Sequence, residues 1–246
     1  LIFAGTEQGL WVSLDNGASF QQWKNGYPSV STYDLAIQER EADLAIATFG
    51  RAIYILDDMR PLRKLANSKG VVNKKLTAFA APVAIQAEYR NAPGYEWSTL
   101  GLWDAENRRP GAAISYYVMP GESKDTATKK QKLDSALVKV YNDKNEVIRN
   151  LRWKTDTGFN RSYWNMDEKG FRNPGRPRPR PGQENGGWDV LPGTYKVMIS
   201  LGKDADSTSV TVKDDPRIGN RNDIKLAQRT LQLRLRKSVD KLVEGM

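Results

Sequence analysis

Short runs of alternating apolar and polar residues, separated by tight polar turns, recur along most of the chain. Alternation with a period of two predicts β-strands that bury one face, and short polar connections predict antiparallel hairpins. A helical period replaces this pattern only after residue 216. Strands are therefore predicted at 1–6, 9–15, 33–38, 43–49 and 52–57. A new β region is predicted to begin at 77–85, with strands at 113–118, 136–141, 146–149, 158–165, 193–199 and 207–212.

The first strands repeat after an interval typical of propeller blades. Thr6 and Thr48 stand 42 positions apart, and Trp11 and Tyr54 stand 43 positions apart. Short strands with a period of about 40 to 45 residues are typical of four-stranded β-propeller blades. We expect residues 1–60 to be terminal blades, incomplete in this chain, that the remainder of the propeller completes from the same precursor or from another chain.

The turn after the second strand has the pattern Ser-x-Asp-x-Gly-x-x-Phe, formed by Ser13, Asp15, Gly17 and Phe20. Asp15 is expected to accept backbone N–H groups across the turn, and Asn16-Gly17 to supply the positive φ angles. Phe20 is expected to fold back onto the blade. We interpret these residues as a structural lock of the turn, with no catalytic role.

This octapeptide resembles the Asp box of bacterial neuraminidase repeats, which occur in sialidases, some glucanases and sortilin-type propellers. The segment 47–58 is similar to the one that closes the propeller in a bacterial sortilin-like or glycosyl-hydrolase-like group, whose members often have His at the position of Phe49. The resemblance covers about the first quarter of the chain, and it implies that the Asp box lies at the outer edge of the propeller, away from the ligand face. Arg51 is a candidate to hold a carboxylate or sulfate of a ligand, and the alternative is an ion pair with an acid of the neighbouring blade.

Residues 61–78 are basic and contain Pro, Asn, Ser and Gly, which favours a solvated basic linker. The strands within 79–216 predict an antiparallel sandwich. Their order resembles the immunoglobulin-like (Ig-like) module of the flagellar hook-capping protein, a scaffold that implies no activity. The predicted fold class is thus all-β with a C-terminal helix, in which the last blades of a β-propeller precede an Ig-like β-sandwich.

Two stretches of the predicted sandwich carry candidate ligand-binding residues. Alternating Pro and Arg within the Arg/Pro-rich loop 172–187 favours polyproline II, from which Arg176, Arg178 and Arg180 can contact a polyanion or an aromatic groove. The alternative is a stiff loop packed over a domain. Trp97 and Trp103 can stack on a sugar ring, or they pin an irregular loop to an adjacent domain.

Residues 217–246 predict an amphipathic helix. Its apolar stripe comprises Ile224, Ala227, Leu231, Leu235, Leu242 and Met246. Because one isolated helix is marginally stable in water, we expect it to dock on a partner helix or domain.

The composition narrows the possible chemistry. The chain has no Cys and no His, which excludes disulfides, zinc sites built on thiolate or imidazole, and any Ser-His-Asp or Cys-His catalytic set. We expect no cofactor and no metal. The net charge of +9 is uneven, because residues 1–58 hold three basic and eight acidic groups, so nucleic-acid binding is disfavoured. No apolar run is long enough for a membrane span.

These observations predict a binding or scaffold module for carbohydrate or protein partners, with no catalytic site in this chain. The alternative is the C-terminal portion of a sialidase-like or glucanase-like glycoside hydrolase whose catalytic residues lie on other blades. The pairing of domains suggests an extracellular, periplasmic or outer-membrane-associated bacterial protein.

Overall fold

The structure is a computed structural model that describes residues 1–68, 70, 73–87, 108–119, 135–170, 184–219 and 222–244. Most of the described elements are β-strands, and a long helix follows them, as the sequence predicts. The elements in chain order are β1 (Ile2–Thr6), β2 (Gly9–Ser13), β3 (Gln21–Gln22), β4 (Thr32–Gln38), β5 (Asp43–Thr48), β6 (Ile53–Leu56), α1 (Arg60–Asn67), β7 (Leu76–Ala78), β8 (Ala84–Gln86), β9 (Ala112–Val118), β10 (Ala136–Tyr141), β11 (Val147–Trp153), β12 (Gly158–Trp164), β13 (Asp167–Lys169), β14 (Gly186–Asp189), β15 (Gly193–Leu201), β16 (Asp204–Asp214) and α2 (Asn222–Glu244).

The described chain forms two compact units. Unit 1 takes its residues from Leu1–Pro82, Ser115–Lys132 and Asp156–Asn160. Unit 2 takes its residues from Val83–Ile114, Leu133–Thr155 and Arg161–Met246.

Unit 1 contains two three-stranded antiparallel sheets, ordered β1-β2-β3 and β4-β5-β6. Alternating residues of β5 are buried, so that Leu44 and Ile46 enter a core shared with Leu10 of β2 and Tyr27. β1 and β4 approach closely, because a Cβ placed on Gly5 would lie 2.8 Å from Thr32 Cγ2. A larger residue than glycine at position 5 would push these two strands apart.

Helix α1 occupies the start of the segment that the sequence predicts as a solvated linker. Met59, directly before the helix, is 1% exposed in the unit 1 core, and its N–H donates to the Ala42 carbonyl at 2.7 Å. Pro61 and Leu62 are also buried. Helix α1 therefore differs from the solvated linker predicted at 61–78, because Met59 and the apolar Pro61 and Leu62 of its first turn are buried.

Unit 2 contains a five-stranded sheet ordered β11-β10-β15-β16-β8. All neighbours are antiparallel except β16 and β8, which are parallel. The side chains of one face are fully buried, and they alternate along each central strand as the period of two predicts: Val138 and Val140, Val197 and Ile199, Val210 and Val212. The short strands β13 and β14, which the sequence does not predict, form a separate two-stranded ladder.

Candidate functional site

Three connections of unit 1 meet at one end of its two sheets. Gly5, near the end of β1, lies against Thr32 at the start of β4, and Thr32 pairs with Thr48 at the end of β5. The Phe49 N–H donates to the Ser31 carbonyl at 3.0 Å. The turn at 6–9, the connection at 23–31 and the turn at 49–52 are therefore neighbours, and we call this set the rim.

Two exposed aromatic rings stand at the rim. Tyr33 and Phe49 are each 72% exposed, with ring centroids 5.6 Å apart and planes inclined by 35°. The β4–β5 register shifts between Thr32 and Asp34, and this irregularity brings Tyr33 beside Phe49 instead of into the ladder. We call this pair the aromatic platform. Rings normally bury themselves, so two that remain exposed side by side offer an apolar surface to a ligand.

Arg51 lies in the turn that follows Phe49. The Thr48 N–H and hydroxyl both donate to the Ala52 carbonyl, at 3.2 and 2.7 Å, and close the turn. Gly50 has a φ of 73° and Ala52 a φ of 60°, so the turn uses two left-handed residues. Arg51 is exposed at its tip, and no carboxylate among the described residues forms an ion pair with it. Arg51 therefore follows Phe49 of the aromatic platform by two positions in the chain, and its exposed guanidinium can bind an anion.

The turn at 13–20 has the hydrogen bonds that the sequence predicts for a locked turn. The Asp15 carboxylate accepts the Ser13 hydroxyl at 2.8 Å, the Ser19 N–H at 2.9 Å and the Ser19 hydroxyl at 2.5 Å. The Gly17 N–H donates to Ser13 Oγ at 2.8 Å, and φ is 61° at Asn16 and 93° at Gly17. The hydrogen bonds from Ser19 and then Ser13 lower the pKa of Asp15 from 3.8 to about 2.

This turn lies at the opposite end of the sheet from the rim. Ser13 pairs with Ile2 at the beginning of β1, whereas the rim follows the end of β1. Phe20, expected to fold back onto the blade, remains 43% exposed. The geometry is that of a structural element, and it is separate from the aromatic platform.

A buried ion pair in unit 2 joins β11 to the β13–β14 ladder. Arg149 and Asp167 are 6% and 7% exposed, and Arg149 Nη2 lies 3.3 Å from Asp167 Oδ2. Arg149 Nη1 also donates to the carbonyls of Glu184 and Asn185, at 3.1 and 2.6 Å. Burial raises the pKa of Asp167, and the Arg149 charge opposes that rise. We interpret this group as a structural clamp, which the sequence analysis did not identify.

The remaining predicted ligand-binding residues, Trp97, Trp103, Arg176, Arg178 and Arg180, lie outside the described residues. Within the described ranges, no three carboxylate side chains form a group that could hold a metal ion. The helices of the described chain include none with the length and apolar character that a membrane crossing requires.

Comparisons of the chain with protein-family models, with curated proteins and with solved structures found no match.

Proposed function

We propose that the chain belongs to a secreted or envelope-associated bacterial β-propeller protein and acts as a binding module that holds a carbohydrate at the rim of unit 1. The aromatic platform carries this proposal. A sugar ring presents an apolar face of C–H groups, and exposed aromatic rings offer a matching surface at low conformational cost. Protein ligands remain the second kind of partner for the same surface.

Arg51 suggests that the carbohydrate is acidic. Its guanidinium can donate two parallel hydrogen bonds to a carboxylate or sulfate, which adds orientation to the less directional stacking on the rings. The alternative in which the parent protein is a glycoside hydrolase places catalytic residues on other blades and stays a prediction.

A second feature supports the propeller itself. The face of the β4-β5-β6 sheet opposite the core carries Ala45 and Ala47 on β5, with Ile53 and Ile55 beside them on β6. Ile53 is 64% exposed and Ile55 is 57% exposed. A face with small and branched apolar residues is suited to packing against another sheet. We infer that a further blade covers it.

The test of carbohydrate binding is isothermal titration calorimetry with oligogalacturonate and sialyllactose as acidic probes and a neutral β-glucan oligosaccharide for comparison. We expect an acidic probe to bind, and Tyr33→Ala or Phe49→Ala to weaken binding about tenfold or more, which is about 1.4 kcal/mol. Arg51→Gln should weaken the acidic probe more than the neutral one.

Phe20→Ala is the matched control, because it removes an exposed ring at the opposite end of the sheet. Absence of binding by all three probes, or binding that Tyr33→Ala and Phe49→Ala leave unchanged, would contradict the proposal.

A further inference from the structure

Helix α2 turns a polar side toward the body of unit 2. Lys225 Nζ donates to Gln86 Oε1 at 2.9 Å and forms an ion pair with Asp214. One turn later Arg229 forms an ion pair with Glu168. Further half-buried positions continue this side at intervals of three and four residues, namely Gln232, Arg236 and Val239. The contacts of the helix with unit 2 therefore lie on this mostly polar side and not on the apolar stripe.

The leucines and the isoleucine of the apolar stripe remain exposed. Ile224 is 51% exposed, Leu231 68%, Leu235 54% and Leu242 64%. Their spacings of seven, four and seven residues place all four within about 40° of each other around a helix with 3.6 residues per turn. We call these four residues the seam.

The narrowness of the seam indicates what covers it. A face that lies in a membrane interface or on a globular core is about 100° wide or more, whereas an a/d seam is narrower and repeats every 3.5 residues. The spacings of the seam fit that repeat, and α2 holds no Trp, Tyr or Phe of the kind that anchors interfacial helices. These features favour a second helix over a lipid surface.

The charges beside the seam determine the character of that helix. Arg234, Lys237 and Lys241 are exposed on the flank of the seam that lies away from the polar contacts with unit 2. Among the acids whose side chains the structure describes, Asp223 lies on this flank in the first turn, and Asp240 pairs with Arg236 at 3.9 Å. Two copies of α2 paired antiparallel through their seams would bring these basic flanks together, which is unfavourable.

We propose that α2 binds an amphipathic helix of a partner protein whose Leu or Ile seam is flanked by Asp and Glu. The seam supplies apolar burial, and the basic flank selects an acidic partner over a second copy. This inference is independent of the carbohydrate site, because it rests on other residues and has its own readout.

The test uses two designed helical peptides with the same Leu and Ile seam, one with Glu and one with Lys at the positions on both sides of the seam. Binding to the whole chain is measured by fluorescence anisotropy. We expect the Glu peptide to bind and the Lys peptide to bind at least tenfold more weakly. Added salt should reduce the difference, because it screens exposed charges.

The variant Leu231→Ser/Leu235→Ser should weaken the Glu peptide at least tenfold. Leu226→Ser/Leu233→Ser is the matched control, because these two leucines are 54% and 45% exposed but lie away from the seam. Circular dichroism checks that both variants keep the helix. In Arg234→Glu/Lys241→Glu the preference should shift toward the Lys peptide.

Three results would overturn the proposal. The first is that the Glu peptide fails to bind or binds the seam variant equally well. The second is concentration-dependent dimerisation in analytical ultracentrifugation that the seam variant abolishes, which would assign the seam to a second copy. The third is seam-dependent binding to vesicles of phosphatidylglycerol and phosphatidylcholine without peptide binding, which would assign it to a lipid surface.

Discussion

Asp15 has an exposed carboxylate whose surroundings favour its charged form. Its three hydrogen bonds come from Ser13 and Ser19 within the same turn, so the lock requires no contact outside the octapeptide. This explains why sequence alone could predict the lock, since donors, acceptor and the left-handed Asn16-Gly17 pair are all neighbours in the chain. Its stabilising effect must depend on pH, because protonated Asp15 loses acceptor capacity.

We expect the stability of the wild type to fall in acid in a manner that Asp15→Asn removes. Folding lowers the pKa of Asp15 from 3.8 to about 2. The contribution of Asp15 to stability is therefore complete above its pKa in the unfolded chain, and it is lost as the pH falls through about 2. Urea midpoints from about pH 5 to about pH 2 measure the effect, with exposed Glu39→Gln as the control. Equal pH dependence in the wild type and Asp15→Asn would contradict it.

At the scale of elements, the sequence predicts most strands because hairpins are local. β1 and β2, β4 and β5, and β15 and β16 are neighbours along the chain, and alternation marks each of them. α1 is not predicted, because Met59, Pro61 and Leu62 are the few residues that mark its buried side within a basic segment. The sequence does not predict β13 and β14, because these two strands are very short and sixteen residues separate them in the chain.

The clamp between β11 and the β13–β14 ladder leads to a prediction about stability. Arg149→Met would leave Asp167 buried without its charged partner, and breaking one side of a buried pair costs about 3–5 kcal/mol. We therefore expect a large loss in the free energy of unfolding, measured by guanidinium denaturation.

Arg152→Met is the matched control for this clamp, because Arg152 is exposed on the same strand and its loss should cost less than about 1 kcal/mol. Arg149→Met/Asp167→Asn should recover part of the loss, since it removes the uncompensated charge. If Arg149→Met were as mild as the control, the pair would have no structural role.

At the scale of the whole molecule, the two candidate binding features differ in how far the sequence reveals them. Arg51 and the apolar stripe of α2 could be selected from turn and helix patterns. The aromatic platform could not, because Tyr33 and Phe49 are sixteen positions apart and meet only through strand register. The sequence also could not show that α2 uses its polar side for unit 2, since that depends on Gln86, Asp214 and Glu168.

The proposed propeller predicts that a further blade covers the exposed face of the β4-β5-β6 sheet. Because the chain has no Cys, the reactivity of a single introduced cysteine can measure this. A cysteine introduced by Ile55→Cys lies on the exposed face of the β4-β5-β6 sheet, and it should react rapidly with a maleimide in the isolated chain. In a longer polypeptide or assembly that supplies the next blade, packing of that blade should slow the reaction at least tenfold.

Val147→Cys is the control, because Val147 lies on the edge strand β11 of unit 2 and is 45% exposed in the wild type. It should react at the same rate in the isolated chain and in the longer form. Equal rates at position 55 in both forms would mean that no blade covers this face, and the propeller proposal would fail, whereas selective protection would establish it as a blade interface.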